Sequence, residues 1–187
     1  MKKFFVLFSV LFALTGFTFS QSEIKQGTFS LNGTISYTSN YEESSEMDNS
    51  TFIFNPRFDF FVIDNLSFGL MLNYQNISFF GKNNDSWGIG PSARYYLNFE
   101  HLKPFVGIGY TYATEDASIS NDDIINNNII LSVGVDYFLT ENVAIETSIN
   151  YSFINMKLPD AYNTYYTDLN VSRKSLAIGL GINVFLR

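Results

Sequence analysis

The chain of 187 residues has no cysteine, one histidine, one tryptophan and only four prolines. Without cysteine there can be no disulfide, no thiol nucleophile, no cysteine metal ligand and no acylated cysteine of the kind a lipoprotein carries. A Ser-His-acid arrangement needs an imidazole beside the reacting group. The lone candidate, His101, sits in the turn segment NFEHLK with no partner pattern around it. The chain therefore reads as non-enzymatic and free of cofactors. Positive charge is also scarce, with 11 Lys and Arg against 18 Asp and Glu and a net charge of -7. That balance argues against nucleic acid, which is gripped by clustered cations. Long apolar runs are missing after the first residues, so no later segment reaches the ~20 residues of a spanning helix.

The first residues are a special case. MKKFFVLFSVLFALTGFTFSQ has a charged start at Lys2 and Lys3, an apolar run from Phe4 to Leu14, and Thr18-Phe19-Ser20 before Gln21. This pattern predicts a cleaved secretory signal peptide over residues 1–20. Residues 21–187 then form one mature domain.

What the chain has in quantity is aromatic residues, 20 Phe and 12 Tyr, and after residue 20 its apolar side chains alternate with polar ones. In LSVGVDYFLTENVAIETSINY, one parity gives Leu131, Val133, Val135, Tyr137 and Leu139, then Val143, Ile145, Thr147, Ile149 and Tyr151. The other parity gives Ser132, Gly134 and Asp136, then Ala144, Glu146, Ser148 and Asn150. Period-two alternation on both sides of a short polar break predicts a β-hairpin. The same pattern recurs in TFSLNGTISYTS, FIFNPRFDFFV, SFGLMLNYQ, GIGPSARYYL, FVGIGYTYA and SLAIGLGINVFL, making about eight strands. Connections alternate in length. IDNL, NFEHLK and TEN are tight, whereas SNYEESSEMDNS, ISFFGKNNDSW, TEDASISNDDIINNN and INMKLPDAYNTYYTDLNVSR are long, polar and mostly acidic. Short turns at one end and long loops at the other are the outer-membrane arrangement.

The two faces decide what the strands stand in. A soluble barrel would show a surface dense in charge. The polar face is instead Gly, Ser, Thr and Asn, with only Arg57, Asp59, Arg94, Asp136 and Glu146 charged. The apolar face carries no charge in any strand. A charge facing the bilayer midplane costs about 2–4 kcal/mol, and small residues suit a narrow lumen that side chains fill. The fold expected is therefore all-β, an eight-stranded antiparallel up-and-down transmembrane β-barrel. Hydrocarbon tolerates no open sheet edge, so first and last strands should pair. Tyr37, Tyr74, Tyr110, Tyr112 and Tyr151 on the loop side, and Tyr95 and Tyr137 on the turn side, suit the two lipid–water boundaries.

NPRFDFFVIDNLSFGLMLNY, GPSARYYLN, KPFVGIGYTY and VGVDYFLTENVAIETSINY, in that order, resemble successive hairpins of the small outer-membrane β-barrel domains, the OmpA/OmpX-like group. The resemblance covers the mature chain. It implies a location in the cell outer membrane, reached through the periplasm, with folding by the barrel-assembly machinery. The end, Phe185-Leu186-Arg187, departs from the terminal aromatic that such chains often carry. No peptidoglycan-binding domain follows the barrel, so a wall-anchoring role is not implied.

Two inward groups stand out as candidate sites. If the TEN turn centres near Glu141, Asp136 and Glu146 face each other, a pairing that like charges disfavour. Arg57, Asp59 and Arg94 reach a similar depth. An Arg–carboxylate cluster is expected across the lumen, with Arg94 and Arg57 between the acids, satisfying and filling the core. Phe61, Tyr96, Phe105, Phe138 and Phe185 share the inner parity at the turn end and are expected to stopper it. The function expected is a structural or surface-interaction role through the acidic loops, toward an extracellular partner the sequence does not identify. Alternatives are a narrow channel for a small or hydrophobic solute and, less in keeping with the faces, a secreted soluble ligand-binding barrel. YEESSEMD and TEDASISNDDIINNN lack the spacing of a calcium loop.

Overall fold

The computed structural model describes residues 23–42, 47–79, 82–99, 102–115, 123–159 and 170–187. The predicted signal segment 1–20 and His101 lie outside them, as do residues 116–122 and the side chains of YEESSEMD. Eight strands follow in order: β1 (Phe29–Glu42), β2 (Met47–Ile63), β3 (Leu66–Phe79), β4 (Lys82–Tyr96), β5 (Leu102–Glu115), β6 (Ile124–Phe138), β7 (Val143–Lys157) and β8 (Asn170–Leu186). Each pairs antiparallel with the next, and β1 pairs with β8 to close the barrel.

Alternation fixes which side faces out. Leu31, Ile35, Phe54, Phe58, Leu70, Ile89, Val106, Ile108, Leu131, Ile149 and Leu180 are all exposed on the outer surface, while Ser30, Asn32, Thr34, Ser67, Ser92, Thr111 and Ser148 are buried inside. This is a folded protein turned inside out relative to water. The apolar band is satisfied only by lipid, and the small polar residues fill an interior too narrow for larger ones.

The strands are longer than the alternation suggests. The long connections are expected as loops, yet β1 and β2 extend to Glu42 and from Met47, and β3 and β4 to Phe79 and from Lys82. Strands of 14–17 residues exceed the about 9–11 that a tilted crossing requires. Beyond the bilayer both faces meet water, so alternation disappears from the sequence while the backbone ladder continues.

Local chemistry sets the turns and breaks. Between β2 and β3, Asn65 takes a left-handed φ of 66°, which Asn tolerates better than most residues. After β6, the Thr140 hydroxyl accepts the Asn142 and Val143 amides at 3.3 and 3.0 Å, holding the turn tight. Two ladder gaps coincide with prolines. In unchanged register, the β2–β3 ladder is interrupted between Phe54↔Tyr74 and Arg57↔Met71 at Pro56, and the β4–β5 ladder between Ile89↔Tyr112 and Ser92↔Gly109 at Pro91. Proline has no N–H to give the ladder. At the second gap the strands crowd: a Cβ on Gly90 would strike the Tyr110 carbonyl oxygen and lie 2.8 Å from its carbon. Gly90→Ala should therefore lower stability by about 1–3 kcal/mol through forced separation of β4 and β5, measured by urea unfolding in detergent micelles.

The β1–β8 closure covers only part of the wall. Its pairs run from Phe29↔Leu186 to Ile35↔Leu180.

Candidate functional site

The lumen is the place where chemistry-bearing side chains converge, and the strand registers put them there. Arg57 pairs across β1–β2 with Asn32, and Asn32 pairs across β1–β8 with Asn183. Asp136 lies opposite Glu146 on β6 and β7. Arg94 on β4 pairs with Ser67 on β3 and projects across the interior. Arg57, Asp59, Arg94, Asp136 and Glu146 are all buried, with Asp59, Asp136 and Glu146 fully so.

Glu146 is the hub. Arg94 donates to both of its oxygens, Nη1 to Oε2 at 2.6 Å and Nη2 to Oε1 at 2.9 Å. Asn32 Nδ2 donates to Oε2 at 2.6 Å, and Arg57 Nη2 stands 3.8 Å from the same oxygen. Arg57 Nε in turn donates to Asp59 Oδ2 at 2.6 Å. A bidentate Arg–carboxylate pair is the strongest ionic geometry available to side chains. Here it links β4 to β7 across the lumen. The Arg94 guanidinium also lies 4.0 Å from the Phe105 ring centroid, which fixes its plane.

The expected arrangement needs one correction. The arginines do not stand between the two acids; Glu146 stands between the two arginines. Asp136 makes no ion pair among the described residues and accepts instead from Asn183 Nδ2 at 2.9 Å. The reason is geometric. Stacking on Phe105 sets the direction of the Arg94 fork, and Glu146 fills it, so Arg94 makes no ion pair with Asp136.

Below this layer lies the aromatic cluster. Phe61, Tyr96, Phe105, Phe138 and Phe185 are at most 3% exposed. Tyr96 sits among three of the others, with ring centroids 5.7 Å from Phe61, 5.5 Å from Phe105 and 6.4 Å from Phe185. Phe138 and Phe185 are 4.9 Å apart. Ile24 and Ala144 complete the cluster. The segment before β1 folds against this end, with the Gly27 amide on the Phe61 carbonyl at 2.9 Å and the Asn65 amide on the Ile24 carbonyl at 3.3 Å.

Sequence reasoning missed several contributors. Asn32 and Asn183 carry the right parity, but nothing in a face rich in Ser, Thr and Asn marks two amides as partners of charges. Lys103 was legible: it shares parity with Phe105, is 1% exposed, and donates to Asn98. Ile24 lies in a stretch without periodicity and had no signal.

Above the charged layer the lumen widens on the loop side. A cavity of about 120 Å³ rests on Arg57 and Arg94, and another of about 310 Å³ lies among Gln75, Ser86, Asn126 and Arg173. Among the described residues no group of three His, Cys, Asp or Glu could hold a metal.

The family model for the outer membrane protein beta-barrel domain matches residues 8–183. Among solved structures the chain is similar to Neisserial surface protein A, with 17% identity and a TM-score of 0.56 over 85% of this chain and 97% of that one. It is similar to the N-terminal β-barrel domain of Pseudomonas aeruginosa OprF, with 14% identity and a TM-score of 0.55 over 86% and 98% of the two chains. OprG from the same organism gives 13% identity and 0.53 over 90% and 100%. At these identities the likeness is one of fold. No curated protein matches the chain.

Proposed function

The chain belongs to the outer membrane protein beta-barrel domain family, and from that premise we propose a closed barrel with a structural or surface-interaction role. The observation that carries this reading is the double stopper in the lumen. An ion-paired layer around Glu146 and an aromatic layer around Tyr96 lie in series between the loop-side cavities and the turn end. Neither layer is lined like a conduit. The Glu146 oxygens are taken by Arg94 and Asn32, which also speaks for a non-enzymatic interior.

The loop side is the working surface in this reading. Strands that run on past the bilayer give a rim held by the backbone ladder rather than free loops. The strand ends Glu42, Met47, Glu115 and Ile124 lie at that rim, and the acidic segments they flank would meet an extracellular partner. Outer-membrane lipid surrounds the apolar band. Biogenesis would use export by a cleaved signal over residues 1–20 and the barrel-assembly machinery.

Two measurements test this together. Full chain isolated in outer membranes should change mobility on an SDS gel between unboiled and boiled samples, as a lipid-embedded barrel does. The same unboiled protein in planar bilayers should give no discrete conductance steps. Reproducible single-channel steps in the unsubstituted protein would replace this reading with the channel one, for which the polar cavity of about 310 Å³ is the favouring observation.

A further inference from the structure

The barrel wall is incomplete along one seam. The β1–β8 ladder stops at Ile35↔Leu180, although β1 continues to Glu42 and β8 approaches that level from beyond Val171. Above the last pair each strand is laddered on its other side only, β1 to β2 as far as Glu42↔Met47 and β8 to β7 as far as Lys157↔Asn170. On every other seam the pairing reaches the loop-side tip of at least one of the two strands, as in Phe79↔Lys82 and Glu115↔Ile124.

The side chains around this gap are unusual. Among the described residues the three most exposed large apolar side chains are Leu176 at 70%, Tyr37 at 68% and Ile178 at 66%, and all three border it. They keep the lower part of the gap within the apolar band, where backbone groups left without a ladder call for another partner.

Directly behind the gap lies the cavity of about 120 Å³. It belongs to the lumen, and on the side of the seam it is lined by Thr34, Ile35 and Ser36 on β1 and Ser175, Ala177 and Gly179 on β8. Ile35, the last laddered residue of β1, borders the cavity where the β1–β8 pairing ends. Arg57 and Arg94 are the charged residues that line it, and none of the three lumen acids does. The carboxylates therefore lie behind the arginines as seen from the cavity. Arg57 is 5% exposed, and its Nη2 has no hydrogen-bond partner.

We propose that the upper β1–β8 gap is a lateral binding site for one amphiphile of the outer leaflet with an anionic, phosphate-bearing head. The head enters between Ser36 and Gly179 and meets Arg57 Nη2; the chains stay outside against Leu176 and Ile178. Hydroxyl and amide walls disfavour a wholly apolar solute, and the apolar approach disfavours a free aqueous anion. The bound head would rest above the Arg94–Glu146 layer, so the site stands whether or not the lumen conducts, and conductance tests that question separately.

The test uses isotope-labelled full chain extracted from outer membranes into neutral maltoside micelles, followed by NMR. Titrating dihexanoyl phosphatidylglycerol should give saturable shifts at the Arg57 Nε–H and at the Ser36, Ala177 and Gly179 amides. Because the chain lacks cysteine, Ser36→Cys with Gly179→Cys can stitch the seam. Oxidation of that variant should weaken the apparent Kd at least tenfold, and reduction should restore it. Should the stitched variant fail to fold or to oxidise, Ala177→Phe, which fills the cavity from β8, should give the same tenfold loss. The proposal is overturned if the Arg57 resonance does not saturate, or if closing or filling the gap leaves the affinity unchanged. It is also overturned if inorganic phosphate saturates the same resonances equally well, since the site would then be an aqueous anion pocket reached from the mouth.

Discussion

Arg94→Met is expected to lower barrel stability by about 3–5 kcal/mol, the range for removing one partner of a buried ion pair, read from urea unfolding in micelles. The substitution keeps an apolar stem and removes the guanidinium, with both donors to Glu146 and the stacking on Phe105. Glu146, fully buried, would keep Asn32 and a distant Arg57, at 3.8 Å. Adding Glu146→Gln should return most of the loss, because the buried charge is gone as well. The difference between the double variant and the sum of the singles measures the pair itself. Asp136→Asn should behave in the opposite way. Asp136 is fully buried, makes no ion pair among the described residues, and keeps one oxygen without a partner. Losing that charge should leave stability unchanged or raise it by up to about 2 kcal/mol, since an unpaired buried carboxylate is costly. Destabilisation of Asp136→Asn as large as that of Arg94→Met would mean that Asp136 carries the layer and Glu146 does not.

That contrast marks where the sequence stops being informative. Alternation is a property of single residues, so it was enough to assign faces, count strands and put Arg57, Asp59, Arg94, Asp136 and Glu146 on one side. A hairpin turn fixes register for its own two strands, so the opposition of Asp136 and Glu146 was legible from the TEN segment alone. Which acid Arg94 reaches depends on β4 and β7, which are not neighbours, and on the tilt of the barrel that brings them together. No local pattern encodes that. Strand ends were illegible for a different reason: outside the bilayer the two faces have the same solvent, and alternation carries no advantage there. The short β1–β8 closure depends on the one pairing between residues far apart in the chain, and no turn sets its length. Its trace in the sequence is weak, a run of small inward residues at Ser175, Ala177 and Gly179 that looks like any other lumen face.

Tyr96→Ala is the second large effect. Tyr96 is fully buried, touches Phe61, Phe105 and Phe185, and receives the Asn183 amide at its hydroxyl at 3.4 Å. Truncating a core aromatic costs about 3–5 kcal/mol, from lost transfer energy and the cavity left behind. The three surrounding rings are anchored on three different strands, β2, β5 and β8, so collapse into the space should be poor and the loss should fall in the upper part of that range. Tyr96→Phe keeps the ring and loses a long, weak hydrogen bond, so it should cost no more than about 1 kcal/mol. Conductance separates filling from sealing. If the two layers act in series, Tyr96→Ala alone should give no discrete steps in planar bilayers, because the Arg94–Glu146 pair still spans the lumen above it. Combining it with Arg94→Ala and Glu146→Ala should give steps, provided the variant still shifts on boiling and is therefore folded. Steps from Tyr96→Ala alone would place the whole seal in the aromatic layer. The ion-paired layer would then serve to tie β4 to β7 and would not close the barrel.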